Sequence, residues 1–283
     1  MAGVRLGLIA VWLVALALVT GPLGWFCRAG SPVIEGLARR TCRFLLAVLR
    51  IRVQVLGRPG PEQTARLVVA NHVSWIDILV LGSLEPLCFL AKREVGLWPI
   101  IGTFARLKGA VFVDRTRRRS IPAANAAMAD RLRTGRSVVL FPEGTTHDGT
   151  QRGRFLTSHL ACLRDRSRLE PSLDASEVQA VALAYSDPVA SWIGDASLLP
   201  HLWAVASGRG FACAVVFGAP MTVRPGYDRK ALGRDLQSQM EVLVSRGSTL
   251  NAVGRVRTEH EPSPAEIGGP VFGAMKTEIQ DRM

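Results

Sequence analysis

Short apolar runs at 67–70, 87–91, 110–113, 137–141, 178–184 and 211–217 punctuate this chain, and each has the length of a strand. Helix-period stretches lie between them, at about 75–82, 98–107, 118–134, 153–163 and 228–246. Strands that alternate with helices close into one core by lying side by side, with the helices covering the faces. Continuous rather than alternating apolar runs are those of strands buried on both sides, as in a parallel sheet. The run 51–56 (Ile51-Arg52-Val53-Gln54-Val55-Leu56) does alternate, which places it at a half-exposed edge and allows some antiparallel pairing. The expected fold is therefore α/β, a mostly parallel central sheet flanked by helices, over residues 51–254.

A different segment precedes it. Residues 6–26 carry no charge, and twenty-one helical residues would reach about 30 Å, the thickness of a bilayer's hydrocarbon core. Gly21-Pro22 is expected to end or kink that helix after about 15 residues. One spanning helix, a kinked or re-entrant anchor, and a signal peptide all fit; the last is disfavoured, because only Arg5 supplies a basic start and no small-residue cleavage site follows. Residues 32–50 then place Leu37, Thr41, Phe44, Leu45 and Val48 at helical spacing, with Arg39, Arg40, Arg43 and Arg50 around them. That is an amphipathic basic helix suited to a membrane interface and anionic head groups. Residues 1–50 are thus read as a membrane anchor, with the arginines on the cytoplasmic side under the positive-inside rule. Residues 255–283 are polar and turn-rich, a loose tail.

The candidate chemistry starts at residues 71–77, Asn71-His72-Val73-Ser74-Trp75-Ile76-Asp77, between the apolar runs 67–70 and 78–81. Asn71 and Ser74 suit turns and caps, Ser74 best as the helix N-cap. His72 then falls at a strand end and Asp77 one or two helical turns on. A histidine whose far ring nitrogen is held by a carboxylate is a general base of fixed tautomer. A turn histidine beside a solvated first-turn acid would leave the same local pattern.

The rest of the chain adds to it. Phe141-Pro142-Glu143-Gly144-Thr145 follows the run 137–140, Asp114-Arg115 follows Val111-Phe112-Val113, and a further block spans 178–185. With Asn-His-x-x-x-x-Asp these blocks stand in the order of the glycerolipid acyltransferases, and the chain resembles that family from about residue 50 to about residue 220. The resemblance implies acyl transfer from a thioester, acyl-CoA or acyl-carrier protein, to the free hydroxyl of a lysophospholipid such as 1-acyl-glycerol 3-phosphate. It implies His72 and Asp77 as the base, acceptor binding by Glu143, Gly144 and Thr145, and a phosphate-binding arginine at Arg115. Lys92 takes a supporting role. It also implies an N-terminal helix pair that holds the catalytic domain on the cytoplasmic side of a bacterial inner membrane. No bound cofactor is implied.

The residues support parts of this independently. Phe141–Thr146 follows a strand, at the edge where open α/β sheets hold ligands. Gly144 would let backbone amides approach a phosphate or an oxyanion. Glu143 stands out there, since a carboxylate repels phosphate; it suits hydrogen bonds from an acceptor hydroxyl or the orienting of an arginine. A guanidinium such as Arg115 grips phosphate bidentately. No Gly-x-Ser-x-Gly turn occurs, so direct attack by the acceptor hydroxyl is simpler than an acyl-enzyme. The fourth block lacks the family's usual Val-x-Pro-Val, which bears on acceptor or chain preference. The stretch 192–203 resembles proteobacterial acyltransferases, including those that make ornithine lipids. Trp192 and Trp203 would line an acyl slot or sit at the interface, or serve as core aromatics, and His201 has no acid near it in sequence.

The charge of +12 fits an anionic membrane surface or an anionic substrate. Nucleic acid is excluded as a partner, because no basic segment is interleaved with aromatics for base stacking. The cysteines (Cys27, Cys42, Cys88, Cys162, Cys213) show no paired spacing and read as reduced core residues, and no metal motif is present. The leading acceptor is lysophosphatidic acid, giving phosphatidic acid, and the alternative is a lyso-ornithine lipid or other lysolipid. A non-catalytic membrane-surface protein of the same fold is the reading from another class.

Overall fold

The computed structural model describes residues 2–27, 29–60, 64–149, 155–169, 175–194 and 196–259. Among them, strands β1 (Ile51–Leu56), β2 (Arg66–Ala70), β3 (Cys88–Lys92), β4 (Val111–Val113), β5 (Val138–Leu140), β6 (Ser176–Tyr185), β7 (Phe211–Phe217) and β8 (Met221–Val223) form one sheet. Its order is β1-β7-β6-β2-β5-β3-β4, with β8 beside β6. The pairs β6–β2, β2–β5, β5–β3 and β3–β4 are parallel. Strand β6 turns antiparallel against β7 and β8, and β1 pairs in parallel with β7 at the edge.

The β2 residues are all buried, as a strand covered on both faces requires, whereas β1 shows the half-exposed pattern of an edge. Five parallel strands therefore end at one edge of the sheet. Ala70, Lys92, Val113, Leu140 and Tyr185 are their last residues, and the chemistry-bearing segments all follow them.

Helix α1 runs from Ala2–Phe26, continuing through Gly21-Pro22. A proline inside a helix forfeits one hydrogen bond and crowds the carbonyl four residues back, a cost of about 3 kcal/mol that packing elsewhere offsets. Arg5, Ile9, Leu16 and Thr20 form its buried face. The Arg5 guanidinium donates to the carbonyls of Ala206 (2.7 Å) and Gly208 (2.8 Å), satisfying the C-terminal end of α7 (Leu198–Ser207). Trp12 stacks on Phe44 at 4.3 Å, and its indole donates to Thr41 Oγ1 at 3.3 Å. Val4, Leu8, Val11, Leu18 and Val19 face outward and are exposed. The helix therefore lies along the domain instead of projecting from it.

Helix α2 (Pro32–Val48) is amphipathic as expected, but its apolar face serves the protein core. Ile34, Ala38, Cys42 and Leu46 are buried, and α2 packs on α3 (Ile76–Leu84). Glu35 accepts from Lys108 Nζ and, at 3.0 Å, from Arg136, an ion triad that ties α2 to the residues preceding β4 and β5. Removing one member of a buried ion set costs about 3–5 kcal/mol, because it strands the others. A cut at residue 50 would thus go through the core. Helix α8 (Arg229–Glu259) outlasts the expected end at 246 and buries Leu232, Leu236, Met240 and Leu243 against the opposite face. The tail from residue 260 lies outside the described residues.

Four buried cysteines and the half-buried Cys27 are all unpaired.

Candidate active site

After β2 the chain leaves the sheet at Asn71, and what pins it there is not a turn of its own. The Asn71 amide bridges to β6, donating to the Leu183 carbonyl (2.9 Å) and accepting from the Leu183 amide (2.7 Å). The next carbonyls are held by other segments: His72 O accepts from His147 N at 2.9 Å, and Val73 O accepts from Trp192 N at 3.0 Å. The loop is therefore fixed from three sides before helix α3 begins.

His72 Nδ1 lies 2.8 Å from Asp77 Oδ2. Asp77 is fully buried, and the same oxygen accepts from the amides of Val73 (2.8 Å) and Ser74 (3.0 Å). The acid thus closes the N-terminal turn of α3 itself, the job expected of Ser74, whose buried Oγ finds no partner among the described residues. A carboxylate is better placed there than a hydroxyl, since the helix dipole adds to the amide bonds. The other carboxylate oxygen accepts from the Tyr185 hydroxyl at 2.6 Å, a contact across 108 residues of sequence. An ionised carboxylate only accepts, so Nδ1 carries the proton and Nε2 keeps the lone pair. The imidazole stacks on Phe141 at 4.1 Å.

Glu143 has a different part from either expected. Its Oε2 accepts from the His72 backbone amide at 2.9 Å, so it braces the loop that carries His72. Burial, opposed by that bond and aided by the nearby Asp77 charge, pushes its carboxyl up to about 7. Gly144 sits at φ +73, which only glycine adopts without strain, and its amide is used in the turn, donating to Phe141 O at 3.2 Å. It is therefore not a free amide for an anion. Arg115, two residues beyond β4 and exposed, donates to the Gly144 carbonyl, which brings it beside the loop of Glu143. Thr145 is exposed on that loop, and Thr146 donates to Trp192 O. Lys92 ends β3 at the same sheet edge, exposed and 3.8 Å from Glu94.

The two tryptophans part company. Trp192 lies half-buried against the His72 loop, its indole donating to Ala196 O at 2.7 Å. Trp203 is 54% exposed on α7. His201 accepts from the Trp75 indole at 3.0 Å through Nδ1, and its Nε2 lies 3.1 Å from Ser191 O. That arrangement fixes a neutral imidazole, and burial lowers its pKa further. A cavity of about 40 Å³ opens beside His72, between Glu143, His147 and Met240 of α8; it has room for a few waters and not for an acyl chain. Among the described residues no three His, Cys, Asp or Glu side chains group as a metal would need. Sequence reasoning missed Tyr185 as a site residue, and no local signal marks it.

Comparison with known proteins now adds to the geometry. The acyltransferase family model matches residues 52–166. The lyso-ornithine lipid O-acyltransferase of Brucella abortus is 33% identical over 85% of this chain and 94% of its own length. This chain belongs to the acyltransferase family. The lyso-ornithine lipid O-acyltransferase of Rhizobium meliloti is likewise 33% identical, over 94% of each chain. A 1-acyl-sn-glycerol-3-phosphate acyltransferase of Neisseria meningitidis is 33% identical over 72% of this chain and 78% of its own. Among solved structures, the 1-acyl-sn-glycerophosphate acyltransferase PlsC of Thermotoga maritima shares the fold, with a TM-score of 0.60 at 19% identity, over 87% of this chain and 97% of that one. The protein is an O-acyltransferase, and the mixed, mostly parallel α/β fold expected from its sequence is the fold it has.

Proposed function

We propose that this acyltransferase moves a fatty acyl group from acyl-CoA or acyl-carrier protein to the hydroxyl of a lyso-ornithine lipid. The 2.8 Å contact between His72 Nδ1 and Asp77 carries the chemistry, because it leaves Nε2 unprotonated toward the substrate. The acceptor hydroxyl gives its proton to Nε2 as its oxygen attacks the thioester carbonyl. The tetrahedral adduct collapses, the carbon–sulfur bond breaks, and the thiolate takes the proton back from the imidazolium. Ester and thiol leave, with no covalent enzyme intermediate.

For the acceptor, the lyso-ornithine relatives match this chain over a larger share than the Neisseria enzyme does. The site agrees. An ornithine head group bears one carboxylate and one ammonium, and here an exposed arginine bonds the Gly144 carbonyl, next in sequence to Glu143, whose carboxyl burial raises to about 7. A phosphate dianion would meet repulsion from Glu143. The second reading is 1-acyl-glycerol 3-phosphate, favoured by the position of Arg115 beside the Gly144 carbonyl and by the Neisseria relative.

Membrane attachment is supported by the outward face of α1, joined by exposed Leu97, Trp98, Ile101, Leu199 and Trp203. Because α1 lies along the domain, shallow immersion of that face fits better than a free span, with the arginines on the cytoplasmic side of the inner membrane. The test is thiol release by the full-length protein in anionic vesicles, with either donor and a panel of lysolipid acceptors. The lyso-ornithine lipid should turn over fastest. A faster lysophosphatidic acid rate would transfer the assignment to the second reading. No thiol release with any acceptor would favour the non-catalytic surface protein.

A further inference from the structure

Among the described residues the Tyr185 hydroxyl is the one donor on the far oxygen of Asp77, and it comes from a different part of the fold than the other groups that hold this acid. Asp77 Oδ2 is bonded within its own loop, to His72, Val73 and Ser74. Oδ1 receives only the Tyr185 hydroxyl among the bonds the described residues make, at 2.6 Å. Tyr185 is the last residue of β6, paired with Cys213 of β7, and its ring meets Phe211 edge-on at 5.9 Å. The ring is thus held by the sheet before any substrate arrives. Burial, and next the Asp77 charge, push its pKa well above the usual phenol value, so it stays a donor at any working pH.

We propose that Tyr185 is a positioning residue for the acyl transfer: it acts through Asp77, fixing the carboxylate plane and drawing charge onto Oδ1, so that His72 keeps its Nδ1 proton while Nε2 holds the one taken from the acceptor. When Nε2 accepts that proton, Nδ1–H faces a buried carboxylate whose proton affinity would rise if Oδ1 had no donor. Proton movement from Nδ1 to Asp77 would leave a neutral ring whose Nε2 proton is far less acidic, and so a poor acid toward the departing sulfur. The phenol O–H suppresses that transfer without forming or breaking a bond itself. This role rests on the His72–Asp77 reading of the reaction.

Tyr185→Phe keeps the ring against Phe211, removes the donor to Asp77 and ends the hydroxyl's contact with the buried Cys213 thiol. The expected result is a 10- to 100-fold lower kcat, KM for donor and acceptor within about twofold, and an acid limb of the kcat–pH profile displaced to higher pH, since the unrelieved carboxylate holds the imidazolium proton more tightly. Installing 3-fluorotyrosine at 185, a stronger donor of nearly the same size, should displace the limb the opposite way. In an Asp77→Asn background Tyr185→Phe should change kcat little, because the effect runs through the acid. A Tyr185→Phe enzyme with normal kcat and pH profile overturns the role, and so does an equal loss in the Asp77→Asn background. His72→Ala run alongside separates the two claims: if it is inactive while Tyr185→Phe is normal, only the tyrosine role falls, and if it is active the dyad itself falls.

Discussion

Two parts of one sheet edge are built in opposite ways. At the end of β2, Asp77 is buried and His72 half-buried, the two are close, and α3, β6 and the 141–147 loop hold them with hydrogen bonds. At the ends of β3 and β4, Lys92 and Arg115 are exposed; the lysine stands near a solvated glutamate and the arginine on a backbone carbonyl. On the proposed reading the base is prepared by the fold, whereas the cations that would meet the head group are long side chains free to adapt. Reaction type then lies in the rigid part and acceptor identity in the adaptable one.

If that contrast is right, damage at the rigid end should be severe and confined to kcat. Asp77→Asn should lower kcat by up to about 10⁴-fold, since an amide can hold the imidazole in the wrong tautomer and leaves the imidazolium unpaired. Stopped-flow thiol release on a variant of confirmed fold would check it, and a loss under tenfold would break the contrast at its strongest point.

Glu143 lies between the two parts and has a signature in stability. Its carboxyl stands at about 7 against an ordinary 4.5, so between those pH values the folded state binds a proton that the unfolded state releases. Stability should fall as pH rises through that window, by about 3 kcal/mol from this group. Glu143→Gln, which never ionises, should flatten the slope and be the more stable protein at pH 8. Denaturation curves at pH 5 and pH 8 decide it; an unchanged slope would mean the carboxyl is not raised.

At the adaptable end the effects should be smaller and fall on KM. Arg115→Ala is expected to raise acceptor KM about 10- to 100-fold, the worth of one charge-assisted contact, with donor KM nearly unchanged. A loss confined to the donor would move Arg115 to the carrier's phosphates. Lys92→Ala should change acceptor KM by no more than about threefold, because an exposed cation near Glu94 contributes little. A large effect there would show that the exposed edge is more tightly organised on substrate binding than in the free enzyme.

The sequence is most readable where local pattern and burial agree. Strands β1 and β7 stand at the expected residues, since runs such as Phe211 to Phe217 are buried throughout and long enough to count. Two elements escape: β8 has three residues, and α7 carries Pro200 in its first turn. The helix expected at 153–163 is displaced; the chain at 155–157 is non-helical, a 3-10 turn covers Ser158–Ala161, and α6 is Cys162–Leu169. Its first turns pack on α5 (Ile121–Arg133), a contact that no local periodicity encodes.

The site follows the same rule. His72 and Asp77 are five residues apart and could be paired on paper. Glu143 reaches His72 across 71 residues and Tyr185 reaches Asp77 across 108, so their partners depend on strand order, which a single sequence does not state. Likewise Arg5, one charge in an apolar segment, is a cap for α7 only because α1 folds back along the domain.

The most direct test of the account is single-turnover transfer by His72→Ala. Full-length enzyme in excess would be mixed in vesicles with a radiolabelled acyl thioester and the preferred lysolipid, and both released thiol and new ester followed. A protein whose base is His72 should lose about 10²–10⁴-fold in the rate of ester formation, with lipid partition and thermal stability unchanged. Ester formation within a few-fold of the wild-type rate would contradict the central claim and show that the acceptor hydroxyl is activated elsewhere.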